Sequence, residues 1–155
     1  MKKIVILFLL SVGLLFSASI EVSKKDSCLI RHIKVYKSPA WIARAKTKEK
    51  TIYFSSPKSM FEYYFQPIKW TEFGALTSSD IVSVTVTDFN TLEAIDAKKA
   101  FYVYGSNQTS PGGDDLPAFS TKKSAEDFAK KYNGKRVLAF DEISNALIFL
   151  INGRI

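Results

Sequence analysis

The chain has little to do chemistry with. It carries one cysteine (Cys28), one histidine (His32) and, beyond the initiator, one methionine (Met60). A lone cysteine cannot close an internal disulfide, so packing must hold the fold together. Any Cys–His or Ser–His–Asp centre would have to use His32. If residues 28 and 32 lie along a strand, their Cα atoms stand about 13 Å apart, too far to share a hydrogen bond or a metal ion; in a turn or helix they could meet. No phosphate loop is present, because Gly112-Gly113 has neither a lysine nor a helix start behind it. Asp114-Asp115 and Asp141-Glu142 could be cast as acid and base, but acids at turns and strand ends are more often simply solvated. This inventory argues against an enzyme.

Long apolar runs are also scarce. The longest, residues 4–16, falls short of the roughly 20 residues that span a bilayer. Lys2 and Lys3 precede it and Ser17-Ala18-Ser19 follow, the layout of a secretory signal with cleavage after Ser19. An uncleaved anchor is the alternative. Cys28 follows Lys25-Asp26-Ser27, not the small apolar residues before a lipid-bearing cysteine, so no lipid anchor is expected. The expected product is exported, soluble and periplasmic, touching a membrane only if the N-terminal segment stays attached. Removing residues 1–19 takes away two lysines and no acid, so the net charge of +7 becomes +5. The remaining lysines are dispersed among acids and read as a solvated surface. No nucleic-acid recognition motif accompanies them.

Aromatic residues are plentiful, at 14%, and argue against disorder. Alternation over residues 33–46, with a turn at Ser38-Pro39, predicts a hairpin. Residues 51–54 read as a strand. Ser56 and Pro57 then open a helix whose apolar face holds Met60, Phe61, Tyr64 and Phe65, and which Pro67 stops. Residues 68–79 read as loop. Over residues 80–89, Val82, Val84 and Val86 alternate with Ser83, Thr85 and Thr87, the clearest strand in the chain. Residues 101–104, 118–119 and 137–140 are three more strands. A second helix starts at Thr121, places Ala125, Phe128, Ala129 and Tyr132 on one face, and ends at Asn133-Gly134. The apolar stretch 145–151 reads as a covered strand. Two helix entries correspond in register: Phe54-Ser-Ser-Pro-Lys-Ser59 and Phe119-Ser-Thr-Lys-Lys-Ser124. The element order around them agrees, which indicates an internal repeat.

One order of residues is more specific than these patterns. Asp96-Ala97, Tyr102-Val103, Gly105-Ser106, Pro111, Leu116, Phe119 and Phe140-Asp141-Glu142 follow one another as DA-x-x-A-x-Y-V-x-GS, P-x-G-x-x-L, AF-S and FDE. This order resembles the NosL family, copper chaperones that are accessory to nitrous oxide reductase, over residues 28–143. The resemblance implies an α+β fold of two tandem ββαβ units, here residues 20–91 and 92–155, after the signal peptide. It also implies copper(I) handling for a periplasmic copper enzyme or another accessory protein. NosL proteins typically carry C-x-x-C-G-M before the first strand pair. Aligned on Pro39-x-Trp41, Cys28 matches the first cysteine, while Arg31, His32 and Ile33 fall at the second cysteine, the glycine and the methionine. The family's later P-M-G-H-E-L stands here as Pro111-Gly112-Gly113-Asp114-Asp115-Leu116, so Gly112 replaces the methionine and Asp114 the histidine.

Copper(I) favours thiolate, thioether and imidazole. Cys28 is the surviving matched donor and His32 a possible shifted one, giving a degenerate copper site. The plainer readings are a small packed side chain for Cys28, a surface histidine for His32, core filler for Met60 and a solvated turn for Asp114 and Asp115. A metal-free module that engages a protein or small ligand through residues 107–116 is the alternative function.

Overall fold

The computed structural model describes residues 18–153. The signal-peptide reading of residues 1–19 lies, except for its last two residues, outside them. Among the described residues no helix is long and apolar enough to cross a membrane.

The fold mixes helix and sheet. Strands β1 (Ala43–Lys46), β2 (Thr51–Phe54), β3 (Ser83–Thr87) and β4 (Ala94–Asp96) form an antiparallel sheet in the order β2-β1-β3-β4. Strands β5 (Phe101–Tyr104), β6 (Ala118–Phe119) and β7 (Arg136–Ala139) form a second, ordered β6-β5-β7. Helix α1 (Pro57–Phe65) follows β2 and helix α2 (Lys122–Lys131) follows β6. The order β-β-α-β therefore occurs twice, and β6-β5-β7 repeats the arrangement β2-β1-β3. β4 joins the first sheet, pairing Val86 with Ile95, although it lies in residues 92–155.

The two matching hexapeptides fold alike. Each phenylalanine ends a strand and each following hydroxyl caps a helix: Ser56 Oγ accepts from Ser59 N–H at 3.0 Å, and Thr121 Oγ1 from Ser124 N–H at 3.1 Å. Such a cap contributes about 1 kcal/mol. The helices differ in what covers them. α2 is amphipathic and buries Ala125 and Phe128. In α1 every residue from Pro57 to Tyr63 is buried, including Lys58 and Glu62. A helix enclosed on all sides must satisfy its charges internally. Phe61 joins the halves, its ring centroid 5.1 Å from Tyr102 on β5 and 5.0 Å from Phe140.

Three expectations are corrected. The first arm of the predicted hairpin is a single bridge, Ser27 to Lys34, followed by 3₁₀ turns at Val35–Lys37 and Pro39–Trp41. Only Ala43–Lys46 is strand there, because Pro39 donates no ladder hydrogen bond and starts a turn instead. Val84 and Val86 are buried as the alternation requires, but Val82, ahead of the strand, is 65% exposed. The stretch predicted as a strand over residues 145–151 is a helix, α3 (Asn145–Ile151). The six consecutive apolar residues after Asn145 cannot distinguish strand from helix by periodicity. The overlooked signal is Ser144, whose hydroxyl accepts from Leu147 N–H and caps the helix. α3 lies on α1, where Gln66 Nε2 donates to Asn145 Oδ1 and Asn152 Nδ2 to Glu62 Oε2.

The helix makes residues 148 and 150 unequal, whereas a strand would set them on one face. Ile148 is fully buried and Leu150 is half exposed. Urea denaturation should therefore show Ile148→Ala losing about 2–5 kcal/mol and Leu150→Ala less than about 0.5 kcal/mol. Equal losses would restore the strand.

Candidate functional site

Two loops meet over the N-terminal end of α1. The first is a tight turn at Cys28. Cys28 N–H donates to Ile33 O and His32 N–H to Cys28 O, both at 2.9 Å, and Leu29 N–H donates to Tyr53 O on β2 at 3.0 Å. His32 closes the turn with φ of +56°. This left-handed conformation favours glycine and is tolerated by histidine better than by most residues. The family motif's glycine aligns at this position, so backbone geometry accounts for that residue type here.

The second loop turns at Ser110, where Gly113 N–H donates to Ser110 O and Ser110 N–H to Asp114 O, both at 2.8 Å. Gly113 has φ of +74° and open space around it. These bonds direct Asp114 inward, where it is 2% exposed. Asp114 is thus not the solvated turn acid that the sequence suggests. Arg31 Nε donates to its Oδ2 at 3.1 Å and Arg31 Nη2 to its Oδ1 at 2.5 Å, a two-pronged ion pair. Ser56 Oγ and Ser59 Oγ donate to Oδ2 at 2.9 and 2.8 Å. Lys58 Nζ stands 3.3 Å from Oδ1 and 3.1 Å from Glu62 Oε2.

Burial opposes the charge on Asp114, but the hydrogen bond from Arg31, the charge of Lys58 and the hydrogen bond from Ser59 outweigh it. Together they hold the carboxyl below its ordinary value. The folded value is depressed, so its contribution to stability is present above the unfolded carboxylate value of about 3.9 and is lost as pH falls through the folded one. Asp115 behaves oppositely: burial raises its carboxyl despite N–H groups from Gly105 and Leu116.

The matched donors are not gathered into a metal centre. Cys28 is 1% exposed, and its Sγ accepts from Arg31 N–H at 3.3 Å. His32 is on the surface, Met60 is fully buried in the core and Pro111 is exposed. Among the described residues no three His, Cys, Asp or Glu side chains are placed to hold a metal ion. What the fold does bring together is the pair of positions aligned with the second cysteine and the histidine, occupied by Arg31 and Asp114. Gly112 packs against the same arginine, with the position of a Cβ there only 3.2 Å from Arg31 Cγ. The sequence marks Ser56 as a helix cap and Lys58 and Ser59 as part of the repeat, but nothing in it marks them as partners of Asp114. Lys58 aligns with Lys123 in the repeated hexapeptide, and each pairs with an acid four residues on, but the Lys123–Asp127 pair is exposed. Beside the first loop, a cleft of about 390 Å³ is lined by residues that include His32, Lys34, Lys37, Ser55 and Pro111.

The NosL family model matches residues 19–148 of the chain. Among solved structures, the copper chaperone NosL from Shewanella denitrificans is similar at a TM-score of 0.70 and 27% identity, covering 84% of this chain and 98% of that one. The solution structure of apo-NosL from Achromobacter cycloclastes is similar at a TM-score of 0.48 and 24% identity, covering 68% and 87% respectively. No curated protein matches.

Burial of the sulfur is directly measurable. In the native protein Cys28 should react with a thiol-specific chromogenic reagent at least about 100-fold more slowly than in the urea-unfolded chain. Comparable rates would mean that the turn leaves the thiol open.

Proposed function

Because the chain belongs to the NosL family, we propose that it is an exported accessory protein in copper(I) supply to a periplasmic enzyme such as nitrous oxide reductase, with its own copper site reduced to Cys28. The observation behind this reading is the substitution at the aligned ligand positions, where Arg31 and Asp114 bond to each other and leave one sulfur beside them. A guanidinium offers no lone pair to a metal, and a carboxylate is a hard donor that copper(I) disfavours. One thiolate is an incomplete ligand set. Donors from the partner, either the copper enzyme or another accessory protein, complete it when the 28–33 turn opens. His32, on the rim of that turn, is the nearest candidate for a second donor from this chain. The protein is a carrier or adaptor and not a catalyst.

A second reading keeps the fold and drops the metal: a module that engages a protein or small ligand through residues 107–116. A cleft of about 390 Å³, within the range of ordinary ligand sites, borders that loop at Pro111, the rest of its lining coming from the 32–38 segment and Ser55.

Anaerobic titration of the exported protein with copper(I) against a competing chelator separates the two. The expected result is one weak site that Cys28→Ser abolishes. No binding, or binding unchanged in Cys28→Ser, would reject the copper reading and leave the metal-free module.

A further inference from the structure

Arg31, Asp114, Lys58 and Glu62 form a chain of charges from the 28–33 turn, through the 110–116 loop, to the interior of α1. Two are cations and two are anions, so the network is neutral. Lys58 is fully buried and Asp114 nearly so. Two further donors, Ser56 and Ser59, reach Asp114 from the first turn of α1. The Asp114 side chain therefore ties three segments together, its own loop, the 28–33 turn and the start of α1, which is the connectivity a bound ion would provide. The family's cargo does not fit this arrangement. A soft cation placed here would meet a guanidinium and an ammonium, and the thiol alongside is sealed.

We infer that this charge network is a built-in staple that takes the place of a metal ion: it joins the two loops to α1 and sets the face of the protein without copper. The inference rests on the family reading for the alignment of Arg31 and Asp114 with ligand positions and hence for the choice of grafts. Its first arm contains no copper, so failure of the Cys28 titration leaves it intact.

In that arm, metal-free urea unfolding compares the wild type with Asp114→Asn and Arg31→Leu. Removing one member of a buried pair strands its partner, and the folding equilibrium constant of D114N should fall on the order of 100-fold or more. Arg31 is one-third exposed, so R31L should still fold if D114N does not. In R31L, hydrogen exchange of the amides in residues 28–33 and 110–116 should speed up at least about tenfold, with the β5–β7 amides unchanged. The second arm uses R31C/D114H, which removes both members of the pair together. Copper(I), added anaerobically, should raise the unfolding midpoint of this double variant well beyond the small shift that a single weak Cys28 site gives the wild type. The staple is overturned if R31L shows wild-type exchange in both loops, or if copper(I) raises the wild-type midpoint as much as that of R31C/D114H.

Discussion

A carboxylate with almost no access to water governs this site. Burying the charge of Asp114 would cost several kcal/mol if it were left alone, and the surrounding chain is arranged to prevent that. The turn at Ser110 points it inward, α1 offers two hydroxyls and an ammonium from its first turn, and the 28–33 turn offers a forked guanidinium. The buried carboxylate is satisfied by these groups together. Lys58, fully enclosed, needs both Asp114 and Glu62. The requirement reaches beyond the site, since the loop carrying Asp114 joins β5 to β6 while its partners precede and open α1. The charge network thus ties the second sheet to the helix of the first, alongside the Phe61 contacts.

The cross-link between the two loops is an ion pair. At the positions where the family motif places a thiol and an imidazole, this chain places a cation and an anion at hydrogen-bonding distance. The substitution reverses the chemistry of the pair. Soft donors gathered at one point attract a soft ion, whereas opposite charges gathered there neutralise each other and leave an ion nothing to bind. The small residue at Gly112 fits this, because the methionine of the motif would meet the stem of Arg31. His32 adopts a left-handed turn at some conformational cost.

Much of the fold was legible because local rules and tertiary packing agree. Ser56-Pro57 and Thr121 announce both long helices, the 54–59 and 119–124 hexapeptides recur in the same structural role, and the Val84 and Val86 alternation sets the buried face of β3. The sequence placed Arg31 and Asp114 at aligned ligand positions but gave no sign that they pair. Gly-Gly-Asp-Asp has the composition of a solvated turn, and only the chain's return over α1 buries Asp114. Lys58 looks like Lys123 in sequence, yet one lies under a loop and the other faces water. Residues 146–151 are all apolar, so the choice between strand and helix rests on Ser144 and on the space above α1.

Direct titration of the Asp114 side-chain carboxyl by carbon-detected NMR tests the organising role of this residue most closely. Held by Arg31, Lys58 and two serines, it should titrate below the ordinary aspartate value of about 3.9, with the amides of Arg31 and Ser59 shifting in the same step. A midpoint at or above that value, with those amides unmoved, would mean that the buried carboxylate is not what holds the two loops to the helix.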